Sequence, residues 1–199
     1  MIPAKKYLSI KVPTRTYLKK FTHYKLGNDF FSEGPHHIQK YLSAILQKNS
    51  YNYNFNQLNY QFNDTLVVFL TKSQFLKNGY GIPPGKVMDL NNYIETLFDE
   101  ELYNFCKDFL KYQDVAKKAV FAFMETYQIK VQARQVRKLQ REPTLKYALE
   151  AFADKLSIEI EKDISFEALK KMEYRFRTKK TFSEVVPTVN GGRILMQFQ

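Results

Sequence analysis

The chain has 199 residues, 44% hydrophobic and 16% aromatic, enough to fill one well-built core or two small ones, which excludes disorder throughout. Its formal net charge is +11, from 31 Lys and Arg against 20 Asp and Glu. The longest strongly apolar run, Leu66 to Leu70, has strand length and not the roughly 18 residues of a membrane helix, and a single Cys106 far from His23, His36 and His37 makes neither a disulfide nor a zinc site.

Lys6 to Val12 alternates as a short strand that Pro13 is expected to end, and Thr14 is placed to cap a helix carrying Tyr17, Leu18, Phe21 and Leu26 as far as Gly27-Asn28. Gly34-Pro35 opens a second helix with the stripe Ile38, Tyr41, Leu42 and Ile45, ending near Asn49. Tyr51, Tyr53 and Phe55, then Leu58, Tyr60 and Phe62, alternate with polar residues as a strand bent near Gln57. With Asn63-Asp64 as the turn and Thr65 to Thr71 as the second strand, this predicts a hairpin. Ser73 to Lys86 is rich in Gly and Pro and reads as a loop and a boundary between a 1–86 unit and an 87–199 unit.

The remainder reads as helical. Leu90 to Tyr112 repeats its apolar positions at three- and four-residue steps, with Cys106 in the helix core, and Asp114 is expected to cap a separate helix through Val120, Phe123 and Tyr127. Pro143 starts a segment that buries Leu145, Ala148, Leu149, Phe152 and Leu156; Ser165 caps a last helix with Phe166, Leu169, Met172 and Phe176 inward. Asn190-Gly191 predicts a terminal hairpin between Thr181–Val189 and Arg193–Phe198. The fold class expected is α+β, mostly helical.

The charge is concentrated. Met1 to Asn28 holds seven basic residues, among them Arg15, Lys19 and Lys20, and no acid; Asp89 to Asp114 holds seven acids against Lys107 and Lys111. Lys130 to Lys146 has six basic residues against Glu142, and Lys170 to Lys180 six against Glu173. Arg134, Arg137, Lys138 and Arg141 stand at i, i+3, i+4 and i+7, one face of a helix able to track a phosphate backbone. Lys170, Lys171, Arg175 and Arg177, with Lys179 and Lys180, turn away from Leu169, Met172 and Phe176. Isolated basic islands of this kind indicate a polyanion partner, DNA ahead of RNA.

From Pro143 to Gln199 the order of helix, turn, basic helix and hairpin resembles winged-helix and helix-turn-helix DNA-binding proteins of phages and mobile elements. The resemblance implies that the second helix enters a groove while the hairpin touches neighbouring backbone. Strand, two helices and hairpin recur in the same order in the N-terminal unit.

No enzyme motif competes with this. His36 and His37 are adjacent and diverge on a helix, Gly85-Lys86-Val87 lacks the rest of a phosphate loop, and the acids from Asp99 to Glu101 join no nuclease set. The sequence therefore leads to a non-enzymatic nucleic-acid-binding protein, a regulator or replication accessory, needing no cofactor or metal and meeting no membrane. Because the N-terminus lacks a secretory signal, a cytoplasmic location is expected, or a virion if the chain assembles there. The alternative is a phage virion or complex assembly protein, self-associating or docking on protein through Thr181 to Gln199. A metal-dependent nuclease is the third reading.

Overall fold

Asp64–Leu70 alternates as a half-buried strand must: Leu66, Val68 and Leu70 are covered while Thr65, Val67 and Phe69 stay partly open. In the computed structural model of the chain, which describes residues 7–28, 30–49, 62–127 and 144–185, this strand is β2. It pairs antiparallel with β1, Leu8–Thr14, Leu8 opposite Leu70 and Thr14 opposite Asp64. Residues 51–61 of the expected hairpin lie outside the described residues. On its other side β2 is bound at Phe69, whose N–H donates to Phe30 at 2.7 Å and whose carbonyl accepts from Ser32 at 3.0 Å. Pro13 does not end β1; it sits in the ladder opposite Thr65, a position open to proline because β1 has no second neighbouring strand among the described residues.

Six helices accompany the sheet among the described residues: α1 Thr16–Leu26, α2 His37–Ile45, α3 Lys72–Asn78, α4 Pro84–Thr126, α5 Leu145–Lys155 and α6 Phe166–Val185. The chain is thus α+β and mostly helical. Arg15, not Thr14, holds the cap position of α1; Thr14 is buried and its hydroxyl donates to Asn91 on α4. Gly34 and Pro35 only lead into α2, which starts at His37: the His36 ring accepts from Ile38 and Gln39 reaches back to the His36 N–H. The stretch expected as a loop from Ser73 contains α3, held by a capping box between Thr71 and Gln74, and Pro84 starts α4 in the position where its missing N–H costs nothing.

The largest departures concern α4 and α6. Asp114 caps nothing: it lies inside one 43-residue helix and pairs with Lys118 at 2.7 Å. Thr181 to Val185, expected as the start of a strand, continue α6, and residues 186–199 lie outside the described residues. The apolar faces of α1, α2 and α5 were legible, and they meet along α4: Phe98 touches the rings of Tyr17, Phe21 and Phe152. One hydrophobic cluster runs from Val12 through Leu42, Leu70 and Phe98 to Leu149 and Met172, joining the 1–86 and 87–199 segments in a shared core. Helix α6 packs principally on α4, with Phe176 against Tyr103 at 5.5 Å.

Candidate nucleic-acid interface

The basic residues of α1 and its cap face acids from distant parts of the chain. Arg15 bonds Glu95 at 2.9 Å and the Tyr17 hydroxyl at 3.0 Å, Lys19 pairs with Asp64 at 2.8 Å, and Lys20 with Asp163 at 2.6 Å. Lys25 reaches Glu101 at 3.0 Å, which Lys155 shares at 3.6 Å. Burial acts to raise the Asp163 carboxyl, yet the Lys20 hydrogen bond, the Glu159 N–H and the charges of Lys20 and Lys162 outweigh it and hold the group below the ordinary carboxylate range. The first basic island thus complements β2, α4 and the α5–α6 turn, and Arg15, Lys19 and Lys20 are each committed to a carboxylate.

Helix α6 is different. Leu169, Met172 and Glu173 are buried, and at about 100° per residue this fixes an outer face around Lys171, Tyr174 and Thr178. Lys170 and Arg177 flank it on one side, Arg175 and Lys179 on the other, and all four are exposed. Tyr174 is 59% exposed and carries the Arg177 guanidinium 5.6 Å from its ring centre. Lys180 leans back over Tyr103 at 5.4 Å, so it belongs to the α4 contact more than to the outer face.

Two acids temper this face from below. Glu173 is buried, 3.5 Å from Arg177; burial pushes its carboxyl up and Arg177 opposes the shift. Asp99 on α4 is half-buried, and burial raises it to about 6, with Glu95 adding to the shift and Arg175 and Lys179 opposing it. Its Oδ1 is covered and makes no hydrogen bond. Lys170 lies 3.8 Å from Glu167, a loose and exposed pair.

Sequence reasoning located the cations of α6 but missed Tyr174 at the centre of their face and Asp99 beneath it. The signal for Tyr174 was present, four residues after Lys170 and three before Arg177; Asp99 needed the α4–α6 packing. Arg134, Arg137, Lys138 and Arg141 lie outside the described residues. Cys106 is a core residue whose thiol burial, helped by Glu173, pushes up to about 12, which is unsuited to a nucleophile. His36 serves as the α2 cap. Among the described residues no three metal-ligating side chains cluster, and no helix is long and apolar enough to cross a membrane. No family model, curated protein or solved structure matches this chain.

Proposed function

We propose that the protein binds nucleic acid, DNA in preference to RNA, through the outer face of α6, as a non-enzymatic regulator or replication accessory. The observation that carries this is the contrast between the two described basic islands. Arg15, Lys19 and Lys20 on α1 are each closed against a carboxylate within 3 Å, whereas Lys171, Arg175 and Lys179 on α6 form no contact ion pair among the described residues. Cations that no carboxylate closes on are the ones a phosphate backbone recruits, and arginine beside an exposed tyrosine offers both forked hydrogen bonds and a stacking surface. The arginine-rich run Arg134, Arg137, Lys138 and Arg141 is a second proposed contact of the same kind. The helix-turn-helix part of the resemblance remains part of this proposal, with α6 as the helix presented to a groove, while the expected hairpin loses Thr181 to Val185 to α6.

The test compares charge reversal on α6, Lys171→Glu with Arg175→Glu, with charge removal on α1, Lys19→Ala, in the full chain against duplex DNA. The α6 variant is expected to lose about tenfold or more in affinity and the α1 variant to keep it. Equal affinity of the α6 variant and the native protein would remove α6 from the interface.

A protein-docking role in assembly is the second reading, and one observation favours it. Helix α4 and its C-cap leave Tyr112, Val115, Val120, Phe123 and Tyr127 between 40% and 70% exposed. If docking is the function, sedimentation will show association that is insensitive to salt, and DNA binding will be weak.

A further inference from the structure

We propose that the protein dimerises through the far half of α4, from Tyr112 to Thr126, which pairs antiparallel with the same stretch of a second copy. At about 100° per residue, Tyr112, Ala116, Ala119 and Phe123 fall within about 60° of one another on the helix surface, on the line already drawn by Ile94, Phe98 and Phe105. On the near half of α4 that line is the core face. Ile94 and Phe98 are buried, and Phe152 of α5 lies 5.4 Å from both Phe98 and Phe105. Beyond Phe109 the same face is open. Tyr112 is 70% and Phe123 56% exposed, both alanines are exposed, and Val115 and Val120, which flank the stripe on its two sides, are exposed as well. A helix that keeps its core stripe after leaving the core needs a second surface to cover it.

The order of residues along the stripe identifies that surface. Tyr112, Ala116, Ala119 and Phe123 are separated by four, three and four positions, so aromatic, alanine, alanine, aromatic has the same sense from either end. A second α4 turned end over end sets its Phe123 against Tyr112 and its Ala119 against Ala116, with close approach at the centre and ring on ring at both ends. This is the self-complementarity that a two-fold axis requires. The charges agree with it. Lys111 and Glu125 lie on one flank of the stripe, both exposed and neither in an ion pair among the described residues. The same rotation brings Lys111 of each copy to the level of Glu125 of the other. Lys118, which approaches its own counterpart near the axis, is already neutralised by Asp114 at 2.7 Å.

The core excludes the parallel alternative. Because α5 occupies the same line on the near half, two parallel α4 helices would bring both copies of α5 into one space between them. Antiparallel pairing puts the two cores at opposite ends. The proposal is independent of the nucleic-acid reading, since α6 packs on the near half of α4, at Tyr103.

The experiment is sedimentation of the full chain between about 1 µM and about 300 µM, where a species of 23.6 kDa is expected to give way to one of twice that mass. Ala116→Glu places a carboxylate in the alanine layer of both copies and is expected to weaken the dimer about a hundredfold or more. In the monomer this position is exposed and Glu is a good helix former, so circular dichroism should stay native. Ala119→Lys repeats the test should that variant misfold. Lys111→Glu and Glu125→Lys are each expected to weaken the dimer about threefold or more, and the two changes in one chain to restore it. Within one copy these positions are about 21 Å apart along the helix, so restoration arises only between copies. A native protein that stays monomeric throughout overturns the second copy and leaves the face to a different protein. A dimer that Ala116→Glu and Ala119→Lys leave intact overturns this interface, and a double charge exchange as weak as either single change overturns the antiparallel pairing. The Lys171→Glu, Arg175→Glu variant is expected to dimerise as the native protein does, so the nucleic-acid reading and this one fail separately.

Discussion

Asn91 is the residue on which the joint between sheet and helices depends most directly. It is buried, its side-chain amide donates to the carbonyls of Pro13 and Val87 at 2.9 Å each, and its Oδ1 accepts from the Thr14 hydroxyl at 2.7 Å. Asn91→Leu strands the Pro13 carbonyl and the Thr14 hydroxyl inside the core, at a cost of about 2–4 kcal/mol that urea denaturation will read as a lower midpoint. Asp99 has the opposite sign. Its folded value, about 6, lies above that of a carboxyl in the unfolded chain, so its protonated form favours the fold and that contribution disappears as the pH rises through about 6. Asp99→Asn is therefore expected to stabilise the protein at neutral pH, by about 1 kcal/mol once the screening of a half-exposed group is allowed for, and to leave stability at about pH 4 unchanged. Thermal melts at the two pH values check this. Neither role was legible in the sequence. Asn91 could have been suspected from its place between Leu90 and Ile94 on the buried stripe, but the two partners that join it to β1 are 77 and 78 residues away.

At the level of elements, what was legible is what periodicity and local chemistry decide. Ile38, Leu42 and Ile45 on α2, Ala148, Leu149 and Phe152 on α5, and the Ser165 cap of α6 were all readable because a helix repeats its buried face every three or four residues. The errors fell where a residue with two uses was read for one. Asp114 has the chemistry of a cap, but no Gly or Pro interrupts the residues around it, and within α4 it serves as the partner of Lys118 instead. Gly79 and Pro83 suggested a long loop, yet they only bracket the gap between α3 and α4. Gly79 has φ +87°, and a Cβ there would fall 2.2 Å from the Gln47 carbonyl oxygen, which accepts from Tyr80 and Gly81. Gly79→Ala must both strain this backbone and push Gln47 away. A loss of about 2 kcal/mol or more is expected, readable as a fall in Tm of several degrees. The end of α6 was misread because Thr181 to Val185 suits a strand as well as a helix, and four helical turns already formed before it favour continuation.

For the whole molecule, the net charge of +11 understates how unevenly the fold uses its cations. The sequence showed islands; only folding shows that Lys19 meets an acid 45 residues away and Lys20 one that is 143 away. Pairings at that range depend on α1 crossing α4 and the α5–α6 turn, which no local pattern encodes, so Arg15, Lys19 and Lys20 looked like the cations of α6 until the core was assembled. The central claim is that α6 keeps its outer cations for phosphate, and the salt dependence of DNA affinity tests it most directly. Affinity of the native protein for a duplex oligonucleotide, measured between about 50 mM and about 200 mM salt, should fall linearly on a double-logarithmic plot, and the Lys171→Glu, Arg175→Glu variant should show a slope shallower by about 2. A native slope near zero, or a variant with the native slope and affinity, would contradict it.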